Sequence, residues 1–288
     1  MLVFSSTLFG IMAFFAKLAS AHLPGSQIAM IRFAVCLLPI LLVPKFRRAT
    51  LTFTRIDLLF YRGFFGGLAV LLYFMAIERI PVGLATLLNY TAPIFSGLFA
   101  AAFIGERLKL RVVIPLAIAF TGVILVVRAH ATPDHVTGFG LWESLGLLSA
   151  VLSGVAITAI RVARRTESSW SIFGSFSLFG LLATLPFGIY QWKTPTPGDW
   201  ILLVTVAVVS IGAQMLMTSA LRWVEAVTAG VMAQLAVVVS MICGAIWLNE
   251  HMTPRLLFGS ALTIVGVVLV IVVTSRNAPT GFDEAPEQ

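Results

Sequence analysis

The feature that most constrains this chain is uninterrupted absence of charge. In Ile80 to Gly105, Ser168 to Trp192, Trp200 to Leu221, Ala226 to Asn249 and Leu256 to Ser275, no Asp, Glu, Lys or Arg occurs for 20 residues or more. Each stretch meets the ~20 helical residues needed to cross ~30 Å of hydrocarbon. Five further apolar runs, Met1 to Ala21, Pro24 to Pro44, Asp57 to Ile77, Val112 to Val127 and Phe139 to Ile160, carry a charge near one end or are broken by one. The reading is an all-α integral membrane protein with ten transmembrane helices, spans 1 to 10 in chain order. Ten spans use most of the 288 residues and leave no room for a sizeable soluble domain. Charged side chains make up 11% of the chain, against about a quarter in soluble domains. The first run lacks a basic n-region and a small-residue cleavage site, and Lys17 stands where such a site would lie, so it is read as span 1 and not as a secretory leader.

The net charge of +7 does not point to nucleic acid, because the 19 Lys and Arg are scattered in small groups between apolar runs. Their distribution instead predicts topology. Twelve (45, 47, 48, 55, 107, 109, 111, 161, 164, 165, 222 and 276) fall in one set of alternate loops and four (79, 128, 193 and 255) in the other. The richer side is expected to be cytoplasmic, with both termini on it. All six tryptophans lie near predicted span ends, where an amphipathic indole favours the headgroup zone. The tail from Arg276 to Gln288, with Pro, Gly and three acids, reads as disordered. Cys36 and Cys243 both sit in apolar segments and signal neither a disulfide framework nor a metal cluster.

The two halves of the chain match at a fixed offset of 144 residues without a gap, which superposes spans 3, 4 and 5 on spans 8, 9 and 10. Over Val82 to Arg128 against Ala226 to Val272, eleven of 47 positions are identical, among them Ala85/Ala229, Ser96/Ser240, Glu106/Glu250 and Gly122/Gly266. The domain expectation is therefore a first repeat over residues 1–137 and a second over 138–275. Five spans per repeat is odd, so the second copy enters the membrane inverted relative to the first. Inverted repeats are a common architecture of secondary transporters, with substrate held near the midplane between the copies.

The residues Ile80-Pro81-Val82, Ala85, Pro93 and Gly105-Glu106-Arg107, followed by Gly122, are echoed in the second copy by Ala229, Glu250, Gly259 and Gly266. Together with Phe14-Phe15-Ala16-Lys17, Arg32 and Arg62-Gly63, they make the chain resemble the EamA module of the drug/metabolite transporter superfamily along essentially its whole length. Copy two departs from the pattern at Val237 for Pro93 and Asn249 for Gly105, which leaves open whether span 9 bends as span 4 should. The resemblance implies a ten-helix exporter of amino acids or related metabolites. It also implies a central cavity lined by spans 1, 3, 4, 6, 8 and 9, with spans 5 and 10 peripheral.

Candidate binding groups are polar side chains inside hydrocarbon, where an unsatisfied group is costly. Asn89 and Tyr90 in span 4, Gln214 in span 8, Gln234 in span 9 and Tyr73 in span 3 lie near mid-span, and Tyr90 and Gln234 are repeat mates. Their competing role is interhelical hydrogen bonding. Arg32, about eight residues into span 2, and Lys17 are candidates for a substrate carboxylate. The structural alternatives are bonds from Arg32 to exposed carbonyls and snorkelling of Lys17 to the interface, and Arg62 is expected to snorkel in the same way. Pro93 frees the carbonyl of Asn89 and is a candidate hinge. The faces Ser6, Gly10, Ala13 and Ala150, Gly154, and the pair Gly63/Gly67, read as close-packing surfaces.

All twelve Asp and Glu fall at span ends, in loops or in the tail, so the sequence offers no midplane carboxylate for a coupling ion. Glu106 and Glu250 are expected to orient loops at the interface. His130 and His135 form a weak metal motif at most, and no nucleophile with a base at helical spacing appears. No catalytic residue, metal or cofactor is expected. The expected function is secondary export of small metabolites, neutral or aromatic amino acids above all, across the plasma membrane (a bacterial inner membrane) by alternating access around a cavity between the repeats. The alternatives are another metabolite class (nucleotide-like, sugar or drug), import or exchange, or a non-transporting receptor.

Overall fold

The computed structural model describes residues 1–44, 54–104, 113–129, 140–163, 166–220 and 231–275. Within them the chain forms α1 (Leu2–Ala19), α2 (Gly25–Leu42), α3 (Ile56–Arg79), α4 (Val82–Asn89), α5 (Ala92–Ile104) and α6 (Val113–Ala129). There follow α7 (Leu141–Ala163), α8 (Ser169–Tyr190), α9 (Pro197–Ala220), α10 (Leu235–Trp247) and α11 (Pro254–Ser275). Eight apolar segments are long enough to cross a membrane, with α4 and the start of α5 counted as one, and two shorter apolar helices, 113–128 and 231–247, complete ten spans. The protein is an all-α, multi-pass membrane protein. Gly105, Glu106, His130, His135 and the tail lie outside the described residues.

Proline sets several helix limits. Pro81 forces Ile80 into an extended conformation (φ −115°, ψ 163°), so α3 stops at Arg79 and α4 starts afresh at Val82. Pro197 and Pro254 occupy the first position of α9 and α11, where a missing N–H costs nothing.

The packing is symmetric under exchange of the two halves. α3 packs on α7 as α9 packs on α1, α3 on α8 as α9 on α2, and α5 on α7 as α10 on α1. The self-related pairs α2/α8 and α6/α11 are also in contact, and α4 of span 4 touches α10 of span 9. Glycines carry this symmetry to single residues. A Cβ on Gly10 would stand 2.7 Å from Val239 Cβ, and one on its mate Gly154 would stand 2.7 Å from Phe95 Cβ, where Phe95 and Val239 are themselves mates. The mates Gly122 and Gly266 let α6 and α11 approach until an added Cβ would strike the backbone nitrogens of Thr263 and Ala119. These are close-packed faces of the kind bilayers favour, because lipid offers no hydrophobic drive between helices. Gly63 and Gly67 serve α3 against α8 in the same way, at the carbonyl of Ser175 and at Gly180.

The connections gather at two ends, as alternate loops should. At one end Lys17 Nζ donates to the carbonyls of Ile77 (2.7 Å), Ile80 (3.0 Å) and Glu78 (3.4 Å), closing the C-terminus of α3. There Glu78 accepts from Gly25 N–H at the start of α2 (2.8 Å), and Glu250 accepts from Val82 N–H at the start of α4 (2.8 Å). His22 pairs with Asp199 at 3.0 Å at the same end. At the other end Glu167 accepts from the N–H groups of Thr54 (2.7 Å) and Arg55 (2.6 Å).

Candidate functional site

Span 4 is not a single kinked helix. α4 ends at Asn89, Tyr90 and Thr91 form a turn, and α5 begins at Ala92. Pro93 sits in the first turn of the new helix, where its lack of an N–H is tolerated. The bend expected at Pro93 falls at the Tyr90–Thr91 turn just before it. The turn is tightened by i to i−3 bonds, from Thr91 N–H to Leu88 O (3.2 Å) and from Ile94 N–H to Thr91 O (2.9 Å). Span 9 is interrupted at Gln234, the repeat mate of Tyr90, although Val237 stands where copy one has proline. Its i to i−3 bonds run from Gln234 N–H to Val231 O (3.1 Å) and from Val237 N–H to Gln234 O (3.1 Å). The doubt about span 9 is thereby resolved: it is interrupted without a proline.

The two interruptions face each other. Gln234 Nε2 donates to the carbonyl of Tyr90 at 3.3 Å, so two repeat mates bond directly across the pseudo-twofold axis. Around this contact lie other candidate residues. Asn89 Nδ2 donates to Ser149 Oγ of α7 at 2.9 Å, with Ser153 Oγ at 3.5 Å. Tyr73 of α3 shares a 2.8 Å bond with Thr86 Oγ1, whose hydroxyl also bonds the Val82 carbonyl. Asn89 and Tyr90 are half-buried, whereas Gln234 and Tyr73 are buried. Asn89 lies seven residues into α4, about 10 Å along the axis.

Arg32 approaches the same region from α2. It is 4% exposed, and its Nε donates to Ser210 Oγ of α9 at 2.7 Å. The expected bonds to loose backbone carbonyls are not the ones formed by its Nε: a hydroxyl and the rings of Phe33 and Phe176, 5.0 and 5.7 Å from Cζ, surround it instead. Lys17 is not brought to this cluster, because its ammonium is held by the α3 carbonyls at the membrane end. Gln214 lies on α9 beside Ala213, whose carbonyl accepts from Ser5 of α1 at 2.7 Å. Arg62 does not snorkel. Its guanidinium turns away from the nearby start of α3 and fills the space that a side chain at Gly66, one turn deeper, would occupy.

Sequence reasoning did not single out Thr86, Ser149, Ser153, Ser210 or Phe176. Hydroxyl groups are common in helices because they can bond the preceding turn, and Phe176 is one of 22 phenylalanines. Among the described residues no group of three or more His, Cys, Asp or Glu stands together for a metal.

The chain is similar to known membrane transporters along its length. It is 31% identical over 271 residues to the pseudopaline exporter CntI of Pseudomonas aeruginosa, covering 94% of this chain and 92% of that one. A protein of Streptantibioticus cattleyicolor named "Probable terminal-alkyne amino-acid exporter" is 30% identical over 201 residues, covering 67% of this chain and 65% of the relative. A solved crystal structure superposes with a TM-score of 0.61 at 21% identity, over 94% of this chain and 99% of the other, which supports the fold alone. The EamA-like transporter family matches twice, over residues 1–128 and 140–272, one match for each half of the symmetric packing. On this evidence the chain belongs to the EamA-like transporter family, a family of transporters of which the duplicated, twice-interrupted bundle described above is a member.

Proposed function

We propose that the protein exports a small metabolite, an amino acid or a related compound, across a plasma membrane by alternating access around the region between its two repeats. The observation that carries this reading is the meeting of two interrupted spans at Tyr90 and Gln234. Interrupted helices expose backbone polar groups at mid-depth, and hydrocarbon tolerates that only where the groups are buried in protein or line a substrate path. Asn89, Tyr90, Gln234 and Tyr73 form the polar lining, with Gln214 on the adjoining helix. Each half carries one interruption, so rocking one half against the other alters the pair of contacts that closes this region. The names of the two bacterial relatives support export and, for one, an amino-acid cargo. The loop charges support cytoplasmic termini, and the two family matches, over 1–128 and 140–272, support a repeat boundary between 137 and 138.

The test is uptake of labelled aromatic and aliphatic amino acids into proteoliposomes, with and without an imposed pH gradient. Transport should be measurable for at least one member, and Asn89→Ala and Gln234→Ala should each reduce it while the protein still elutes as a folded species. If no amino acid moves while a control carrier works, the cargo is of another class. Unchanged kinetics in both variants would remove Asn89 and Gln234 from the path.

A further inference from the structure

Arg62 and Arg32 belong to different helices yet both contact the ring of Phe176. Arg62 Cζ lies 3.8 Å from the centroid of Phe176 on α8, and Arg32 Cζ lies 5.7 Å from the same centroid. The two guanidinium groups therefore cannot be farther apart than those distances laid end to end, and each lies in the field of the other. Both residues are more than nine-tenths buried, at 4% and 7% exposed. Arg32 Nη1 and Arg62 Nε are buried donors with no hydrogen-bond partner. Among the described residues, neither guanidinium has a carboxylate within ion-pair distance.

Two like charges held together in a low-dielectric interior, with donors left over, are costly. Cation–π contact with Phe176 and Phe33 and one bond to Ser210 offset part of that cost. A surface-seeking arginine would relieve it by snorkelling. Arg62 instead turns deeper into the membrane, and Gly66 supplies the room: a Cβ there would collide with Arg62 Nη1 and stand 3.1 Å from the Phe176 ring.

We propose that Arg32 of α2 and Arg62 of α3 form a carboxylate-binding clamp at Phe176 of α8. A carboxylate has two oxygens that accept charge-assisted bonds in a planar fork, which matches two guanidinium groups with free donors. Ser210, which Arg32 bonds, lies one helical turn from Gln214 on α9, so a bound carboxylate directs the rest of the molecule toward the polar lining. The assignment rests on the transport reading only in taking that carboxylate to be part of the cargo. Anion binding itself is testable without transport.

The experiment uses purified full-length protein and two probes of nearly equal shape, benzoate and benzamide, at matched ionic strength. Thermal unfolding is followed in wild type, Arg32→Gln, Arg62→Gln and Gly66→Ala. Benzoate should raise the melting temperature of wild type and benzamide should not. The benzoate affinity should fall at least about tenfold in each arginine variant, the loss expected for a charge-assisted hydrogen bond. Gly66→Ala, which keeps both charges but displaces Arg62, should weaken benzoate in the same direction. Without ligand, Arg62→Gln should melt at or above the wild-type temperature, because it removes an unsatisfied buried charge. A lower melting temperature without ligand, with benzoate binding retained, would make Arg62 structural and overturn the clamp. Absence of any benzoate effect in wild type would overturn it as well. Arginine-dependent benzoate binding in a protein that moves no amino acid would leave the clamp standing and remove the cargo reading. Equal transport of phenylalanine and phenylalaninamide would do the reverse.

Discussion

Spans 4 and 9 occupy equivalent places in the two repeats and reach the same interruption by different local chemistry. In span 4 a proline stands three residues after Tyr90, whereas in span 9 an ordinary valine fills that position and the helix still breaks at Gln234. Proline is therefore not the common cause. What the two spans share is their setting: each break is tightened by i to i−3 bonds, each is flanked by the close approach of a glycine-bearing helix, and the two are joined by the bond from Gln234 to Tyr90 O. Tertiary packing accompanies a tightened i to i−3 turn in copy two, where Gln234 keeps right-handed backbone angles (φ −63°, ψ −19°) and no proline is present.

The largest expected effect comes from the flanking contacts. Gly10→Leu and Gly154→Leu should each destabilise the protein by about 1–3 kcal/mol, the usual range for overpacking, and by similar amounts, since their neighbours are repeat mates. Thermal unfolding in detergent measures this, and tolerance of one substitution but not the other would break the symmetry argument. A smaller effect is expected of Gln234→Ala, which removes the bond across the axis. It should cost about 0.6 kcal/mol, the average for such interhelical bonds, while Tyr90→Phe should leave stability unchanged because the acceptor is the main-chain carbonyl. A Tyr90→Phe loss equal to that of Gln234→Ala would show that the phenol, not the backbone, carries the link. A double-mutant cycle on Asn89 and Ser149 should return a coupling of similar size, about 0.6 kcal/mol, and a coupling indistinguishable from zero would detach α4 from α7 at this point. The smallest effect belongs to Pro93→Ala. The turn at Tyr90 and Thr91 should persist and transport should stay within about twofold, because copy two makes its break without proline. A large loss of transport would restore Pro93 as a hinge.

The bundle was legible because charge-free runs of spanning length have few other fates, and the offset of 144 residues exposed the duplication before any contact was known. Hydropathy could not show the interruption in span 4, since Thr91, Ala92 and Ile94 are as apolar as a continuous helix requires. Repeat mating brought Tyr90 and Gln234 into one argument, yet the group that Tyr90 contributes is its carbonyl, which no side-chain pattern reveals. Lys17 was legible as a residue seeking a polar end, but its target is the terminus of a different helix. Arg62 was misread because position along a helix gives distance to the interface and not the direction a side chain takes; Gly66 decided that direction. Asn249 shows the opposite case. It replaces Gly105 of copy one and adopts φ 51°, a left-handed conformation that Asn enters more readily than most residues.

Three of the helix-end contacts, Lys17 on α3, Glu78 on α2 and Glu250 on α4, lie together at one end of the bundle, and the last joins the two repeats. Their location at a water-facing end has a mechanical meaning. A latch made of such contacts can release by trading each partner for water, at a net cost near 1 kcal/mol per bond, whereas the bond between Gln234 and Tyr90 lies at mid-span, with Gln234 buried. On the proposed transport reading, the end of the bundle would work as a reversible clasp and the middle as a seal that parts for a molecule supplying its own polar groups at mid-depth.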